Sequence, residues 1–491
     1  MKKTLHGRLI LTALLAIILI LGMRSASWAA ETPRHGGILK MIHNAGTTII
    51  ASPADGATLM RNTRPVFETL LNTDENDHIH PWLVDSWDID PDGKYVTLHL
   101  KKGIKFHDGT DFNAEAVKFN LELDAKNNIP AAVGLKNVTS YEILDEYTIR
   151  VNFSTYDSTF LLRLAQTPLG QMASPTAMKK PATPDNVVEL HMVGTGPFLY
   201  ESWQRDNYVR FKRNPNYWQP GRPYLDGLEL RSIRDVTVGL MSFKAGEAQV
   251  IENIAPDDIA PLKQAGFEVT TPDLPFMHTV FPDGANPDSP FADKRVRQAL
   301  DYAIDKEAMG EGLFLGTYYP LTQLATPNDP FYNADIPGRS YNPEKARQLL
   351  AEAGYPNGFK TKIVKDVRAR KEIVAALQTY WKEVGIETTI DTADPARFTE
   401  MTLKGWKGIL IPFFPVVATT VSITSRFSAN YPSYYRPVGW QQKWDALFGQ
   451  TDDDKRTQHL KDLVRIMYEE AVVIPHLWNS PLQANDGTVI D

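Results

Sequence analysis

The order of elements along this 491-residue chain predicts an α/β fold. Two observations carry that reading. Short β-rich runs that alternate apolar with polar residues take turns with helical stretches from one end to the other. Several of those helices carry their own start and stop residues, and no internal repeat or low-complexity tract interrupts the alternation.

The first strand is Gly37-Ile-Leu-Lys-Met-Ile42, and Pro65-Val-Phe-Glu-Thr-Leu-Leu71 reads as a short helical stretch. From Pro81 to Glu122 the chain predicts a hairpin, a second turn and a capped helix. Asp90-Pro91-Asp92-Gly93 is a turn, since proline presets its second position and glycine accepts a positive φ. Tyr95 to Leu100 alternates as a strand, Asp108-Gly109 turns the chain again, and Asn113 caps a helix with Glu115 in its first turn. Tyr147 to Phe153 is another strand, and the Pro/Thr/Ser-rich section from Thr167 to Pro184 is loop with a short helix.

Gly194-Thr-Gly-Pro-Phe-Leu-Tyr200, Tyr208 to Arg213 and Asn214-Pro-Asn-Tyr-Trp218 follow in order. Tyr224 to Ile233 is a strand, and a helix over Val236–Ala245 ends at Gly246. Asp293 caps a helix whose face is Val296, Ala299, Leu300, Ala303 and Ile304. Asn342 caps the next, with Pro343 in its first turn and Gly354 as its stop. A helix from Ala369 to Val384 buries Ile373, Leu377, Tyr380 and Trp381, and Leu460, Leu463, Val464 and Met467 mark the last long helix.

Residues 1–29 have the form of a secretory signal peptide. Lys2, Lys3 and Arg8 precede an apolar core from Leu9 to Leu21, and Ser27-Trp28-Ala29 leads to a cut after Ala29. The core is about 13 residues, short of the roughly 20 that a membrane span needs. The chain has no cysteine, so it forms no disulfides and cannot be lipidated at a new N-terminal Cys. A freely soluble periplasmic protein is the expectation. Hydrophobic residues at 43% and charged residues at 23% are ordinary for a globular protein. Loss of Lys2, Lys3, Arg8 and Arg24, with no acidic residue among the first 29, takes the net charge from −7 to −11. That argues against nucleic acid or anionic lipid as partner.

Catalytic signatures are missing: there is no Gly-x-Ser-x-Gly, no Walker loop and no His-Glu-x-x-His. Pro197 after Gly194-Thr-Gly196 spoils a dinucleotide-binding reading. Asp257-Asp258 and Asp452-Asp453-Asp454 read as caps and solvated surface. His78-Ile-His80 has the spacing a metal can use on a strand, but such pairs are more often surface residues. Neither a resident metal nor a cofactor is expected. The segment Gly405–Trp444 is the strongest candidate ligand surface. Trp406, Phe413, Phe414, Tyr431, Tyr434, Tyr435 and Trp440 crowd it, with Arg426 and Arg436 among them. Rigid aromatics with a few placed polar groups suit a small-molecule pocket, and arginine grips a carboxylate with two parallel bonds.

Three blocks of this chain resemble the family 5 extracellular solute-binding proteins, the peptide/nickel group that feeds ABC importers. The first is matched by Leu83, Ser86, Trp87, Asp92, Gly93, Phe106, His107, Asp108, Gly109, Val117 and Phe119. The second is Gly194-Thr-Gly-Pro197 with Arg213-Asn-Pro-Asn-Tyr-Trp218, ending at Gly246-Glu247-Ala248-Gln249 where the family usually has Asp. The third runs from Pro290 to Asp305. The resemblance implies two lobes hinged by two crossing strands. The first lobe would take residues 30–275 with the tail 476–491, including an extra subdomain at about 75–185, and the second would take 276–475.

It also implies a monomeric, non-enzymatic receptor that closes on its ligand and docks on a membrane permease. Peptide-binding relatives carry an Asp in the segment corresponding to 405–444, where it pairs with the peptide's amino group. Here no Asp or Glu lies between Glu400 and Asp445. An ammonium buried without a counter-charge is costly, so a non-peptide organic solute is expected ahead of an oligopeptide, with nickel or a metal chelate third. A periplasmic enzyme or chaperone on the same scaffold is the rival class. The expected ligand contacts are Trp406, Phe413, Phe414, Arg426, Tyr435 and Arg436, together with Asn44 after the first strand and His278 near the lobe crossing.

Overall fold

The computed structural model describes residues 34–44, 60–74, 77–127, 134–183, 186–272, 275–412, 416–417, 419–428 and 431–489. The expected signal peptide and the candidates Phe413 and Phe414 lie outside these residues.

Two large mixed sheets and one small antiparallel sheet organise the chain. Strands β1 (Ile38–His43), β2 (Leu71–Thr73), β3 (Ile79–Pro81), β4 (Val84–Ile89), β5 (Tyr95–Leu100), β6 (Val138–Asp145), β7 (Thr148–Phe153), β8 (Phe198–Gln204), β9 (Tyr208–Arg213), β10 (Gly227–Ser232), β11 (Val250–Glu252) and β12 (Glu268–Thr270) come first. Strands β13 (Phe276–Pro282), β14 (Tyr319–Pro320), β15 (Phe359–Asp366), β16 (Ile386–Ala393), β17 (Ile409–Ile411), β18 (Val416–Val417), β19 (Ile474–Asn479) and β20 (Gln483–Asn485) complete the set. The first large sheet has the order β12-β20-β11-β1-β10-β9-β8. The second has the order β14-β19-β13-β17-β15-β16, with β18 paired to β13. The small sheet is β4-β5-β7-β6, and β2 pairs with β3 as a separate hairpin. The second sheet includes β19 and so reaches Asn479.

Local signals account for most elements. Gly93 closes the β4–β5 turn at φ 67°, and Asn113 Oδ1 accepts the Ala116 N–H to start the helix Ala114–Asn127. Asp235, Asp293 and Asn342 cap the helices Val236–Lys244, Lys294–Tyr302 and Pro343–Glu352. The expected face of the helix after Asp293 is buried in full. The exception is Pro65–Leu71, which is not helical; the helix is Met60–Thr63, just before it. The reason is tertiary. The carbonyls of Pro65, Val66 and Glu68 accept the N–H groups of Phe198, Gly196 and Met172, so this backbone is committed to neighbours instead of to its own turns.

That segment explains the second sequence block. A Cβ on Gly194 would sit 2.1 Å from the Val66 carbonyl oxygen, and one on Gly196 would sit 2.5 Å from that of Pro65. Only glycine permits this approach. Beside it Glu68 is buried and accepts four bonds: Tyr217 Oη at 2.6 Å, Thr195 Oγ1 at 2.8 Å, Trp218 Nε1 at 2.9 Å and Trp82 Nε1 at 3.0 Å. Burial pushes this carboxyl's pKa up and the four donors oppose the rise. His107 Nε2 and Asn214 Nδ2 both reach the Gly196 carbonyl, at 2.9 and 3.0 Å. The block residues are therefore scaffold that ties the small sheet to the first large one.

Candidate functional site

Strand directions locate the site before any side chain does. β1 is parallel to β10 and β11, and β12 follows the same direction through the antiparallel β20. In the second sheet β15 is parallel to β16 and β17, and β13 runs against β17 and β19. The chain leaves the first sheet at the C-terminal end of β12 and enters β13 where Phe276 pairs with Asn479. It returns from Asn479 to Gln483, which pairs with Glu252 at the C-terminal end of β11. Both connections therefore join the C-terminal edges of the two parallel strand sets. Ligands of open α/β sheets bind outside such edges, so the candidate site lies between them.

On the first-sheet edge, Asn44 follows β1 and Asn253 follows β11 with φ 58°, and Asn253 Nδ2 lies 3.4 Å from Asn44 Oδ1. Glu252 ends β11 at this edge. A small recess beside it is lined by Ile42, Ile233, Val236, Gly239, Leu240 and Ile254, and Asp258 lines the same recess. Arg64 has an exposed side chain, yet the protein mass around it pushes its pKa down. Its guanidinium has no hydrogen-bond or ion-pair partner among the described residues.

On the second-sheet edge, the loop after β15 is built by its own charges. Lys365 Nζ donates to the carbonyls of Asp366, Val367 and Ala369. Asp366 grips the Arg368 guanidinium with bonds of 2.8 and 2.6 Å. Arg370 then begins the helix Lys371–Glu383, whose first turn lacks a side-chain cap. The Arg370 guanidinium has no hydrogen-bond or ion-pair partner among the described residues; it lies 5.7 and 5.8 Å from the ring centres of Phe314 and Tyr318. Tyr318 stacks on His278 at 5.3 Å, and His278 Nε2 meets Asn479 Oδ1 at 2.8 Å across the two crossing strands.

Burial pushes the His278 pKa down to about 4; the Asn479 bond opposes the shift and the Arg370 charge adds to it. His476, buried close behind and facing Lys306, is lowered well below 6.5. The native rings are neutral, while an unfolded imidazole titrates near 6.5. Between pH 6.5 and about 4 the unfolded chain therefore binds more protons. The stability is complete above 6.5 and is lost as pH falls through this window. The urea midpoint is expected to drop from pH 6.5 to 4, and to drop less steeply in His278→Gln. An unaltered slope in that variant would remove His278 from the account.

The structure brings Asn44 and His278, among the residues expected from sequence, to the facing edges. Trp406 is buried, and its indole N–H donates to the Phe281 carbonyl at 3.1 Å. Tyr435 packs beneath the Arg297 guanidinium at 4.0 Å, with its Cβ against Gly284 beyond the far end of β13. Arg436 donates to the Tyr431 and Tyr434 carbonyls at 2.6 and 3.5 Å. Arg426 lies in the last turn of the helix Thr420–Phe427, with no hydrogen-bond or ion-pair partner among the described residues. Arg64, Arg370, Tyr318, Glu252 and Asn253 were not expected. The readable signal was Val367-Arg-Ala-Arg370 between a strand and a helix. His78 and His80 both meet Asp74, at 2.9 and 3.3 Å. Among the described residues no group of three or more His, Cys, Asp or Glu is placed to hold a metal.

Residues 78–426 match the model of the bacterial extracellular solute-binding proteins, family 5. The chain is 30% identical over 395 residues to the glutathione-binding protein GsiB of Shigella flexneri, covering 79% of this chain and 76% of that one. The fold is similar to that of the periplasmic binding protein DppA of Helicobacter pylori in complex with the peptide STSA. The TM-score is 0.77 at 22% identity, over 93% of this chain and 95% of that one. It is also similar to NikA of Brucella suis in complex with Fe(III)-EDTA, with a TM-score of 0.79 at 21% identity, over 92% and 96% of the two chains.

Proposed function

We propose a ligand class for this chain, which belongs to the bacterial extracellular solute-binding proteins of family 5. It is a substrate-binding receptor of an ABC importer, and its two-lobed α/β fold is that of the periplasmic binding proteins. In our reading the first lobe begins at residue 30, after a cleaved signal peptide, and the lobes part at the connections 271–275 and 480–482. The monomer works in the periplasm. Among the described residues no helix is long and apolar enough to cross a membrane.

The ligand is an organic solute whose negative groups outnumber its ammonium groups. What carries this reading is a pair of arginines without carboxylate partners among the described residues, Arg64 on the first lobe and Arg370 on the second. The sequence from Met401 to Trp444 adds no Asp or Glu that could serve as their counter-charge. Two cations facing a closing cleft repel each other unless an anion enters between them. Glutathione, named for the relative GsiB, has this charge pattern, with two carboxylates and one ammonium at neutral pH. Its γ-linkage leaves the ammonium beside a carboxylate that an arginine can take.

Titration calorimetry with glutathione, a dicarboxylic acid and a neutral dipeptide tests the reading. Glutathione or the diacid should bind more tightly than the dipeptide. Glu252→Gln should leave that order and the affinity within about twofold, since the anion is held elsewhere. Preference for the dipeptide, together with a loss of binding in Glu252→Gln, would establish an amine-anchored peptide receptor instead.

A further inference from the structure

We propose that the lobes are held closed by a polar latch, Asp77 on Thr420 with Ser158 and Arg163 beside it, that uses no ligand-binding group. The inference rests on the two-lobed reading above. The small sheet belongs with the first lobe, because Glu68 and His107 tie it to residues 195–218. Contacts from residues 77–166 to residues 420–448 therefore join one lobe to the other.

Three such contacts form a row. Asp77 follows β2 at the tip of the hairpin, with φ 61°. Its Oδ2 accepts the backbone N–H of Thr420 at 3.0 Å, and its Oδ1 accepts Gln166 Nε2 at 2.5 Å. Thr420 is the first residue of the helix Thr420–Phe427, so the carboxylate meets the positive end of a helix dipole. Arg163, fixed by Thr159 Oγ1 at 2.8 Å, donates to Ser425 Oγ at 3.0 Å on the same helix. Ser158 is buried and donates twice, N–H to the Phe448 carbonyl at 2.7 Å and Oγ–H to the Leu447 carbonyl at 2.8 Å. Opening the lobes breaks this row and returns its groups to water. Each bond therefore biases the open–closed equilibrium by its net strength, whatever the ligand.

One bond of the row can be deleted without touching the fold. Pro is favoured at the first position of a helix, where its missing N–H breaks no intrahelical bond. The residue before a proline must be extended, and Thr419 already is, at φ −128° and ψ 151°. Thr420→Pro thus removes the donor while Thr419 keeps its cap on Ser422 N. Asp77→Gly removes the acceptor and suits the positive φ.

The chain has no cysteine, so spin labels at the exposed positions Lys126→Cys, on the helix Ala114–Asn127, and Lys443→Cys, on the helix Trp440–Phe448, report the distance between the two lobes by pulsed electron resonance. Each of Asp77→Gly and Thr420→Pro should lower the closed-to-open ratio of the ligand-free protein by about 10- to 100-fold, the net value of one charge-assisted bond. The double variant should fall no further than either single one, because both remove the same bond between the lobes and the Gln166 bond that Asp77→Gly also loses lies within one lobe. An unchanged ratio in Asp77→Gly, or a double variant that falls by the product of the two, overturns the latch. Asp77→Gly decides alone if Thr420→Pro does not fold. A distance that neither glutathione, a dicarboxylic acid nor either variant moves would instead overturn the closing-lobe reading itself.

Discussion

Arg297→Ala is expected to destabilise the protein by about 3–5 kcal/mol, the range seen when a buried charged group is deleted and its partners are stranded. Arg297 is fully buried on the helix Lys294–Tyr302. Its Nη1 donates to the carbonyls of Phe291 and Ala292 at 2.8 and 2.9 Å, and its Nη2 to that of Glu470 at 2.8 Å. Nε is shared between Glu470 and Ala471 at 3.2 Å each. The ring of Tyr435 covers the guanidinium at 4.0 Å. One side chain thus holds the start of the helix against the turn that leads into β19, the strand from which the chain returns to the first sheet.

Burial pushes the Arg297 pKa down to about 10, which still leaves the group charged at neutral pH. Alanine would leave four carbonyls short of a donor around a cavity the size of the lost side chain. Lysine keeps the charge, but one nitrogen cannot reproduce a planar fork aimed at two segments, so Arg297→Lys should recover only part of the loss. Urea unfolding of the three proteins measures this. A loss below about 1 kcal/mol in Arg297→Ala would mean that water replaces the fork.

The fold was legible wherever a local rule decided the backbone. Asp235, Asp293 and Asn342 announce helices because a cap acts within three residues. Gly93 announces a hairpin because its turn needs a positive φ. Pro65–Leu71 misled because its carbonyls are taken by Gly196, Phe198 and Met172, more than a hundred residues away. The site was legible in a different way. Dense aromatics in 405–444 suggested a pocket, but Trp406 and Tyr435 pack around Phe281 and Arg297, and composition does not tell a core from a cleft. Arg64 and Arg370 looked like any other surface cations. The position of Arg370 follows from which strands are parallel and where the chain crosses, and those facts depend on pairings such as Phe276 with Asn479 that no local pattern encodes.

Arg370→Ala is expected to weaken an anionic ligand by about 10- to 100-fold, the value of a charge-assisted hydrogen bond in a desolvated cleft. The geometry favours an effect at the large end. The Arg370 guanidinium forms no bond that must be broken before the ligand is taken, in contrast to Arg368, which Asp366 already holds. The rings of Phe314 and Tyr318 lie 5.7 and 5.8 Å from it, within reach of a weak cation–π attraction that does not occupy its donors. The uncapped first turn of the helix Lys371–Glu383 adds a positive pole next to it.

Two companions make the measurement decisive. Arg370→Lys should recover charge attraction but not a forked grip, leaving an intermediate affinity. Arg436→Ala should leave affinity unchanged, since that guanidinium already serves the Tyr431 and Tyr434 carbonyls. Salt dependence separates the roles: if Arg370 supplies charge to the cleft, the wild type should lose more affinity than Arg370→Ala as ionic strength rises. Equal affinities of wild type and Arg370→Ala for glutathione and for a diacid would assign the anion to Arg64 or Arg426 and take Arg370 out of the site.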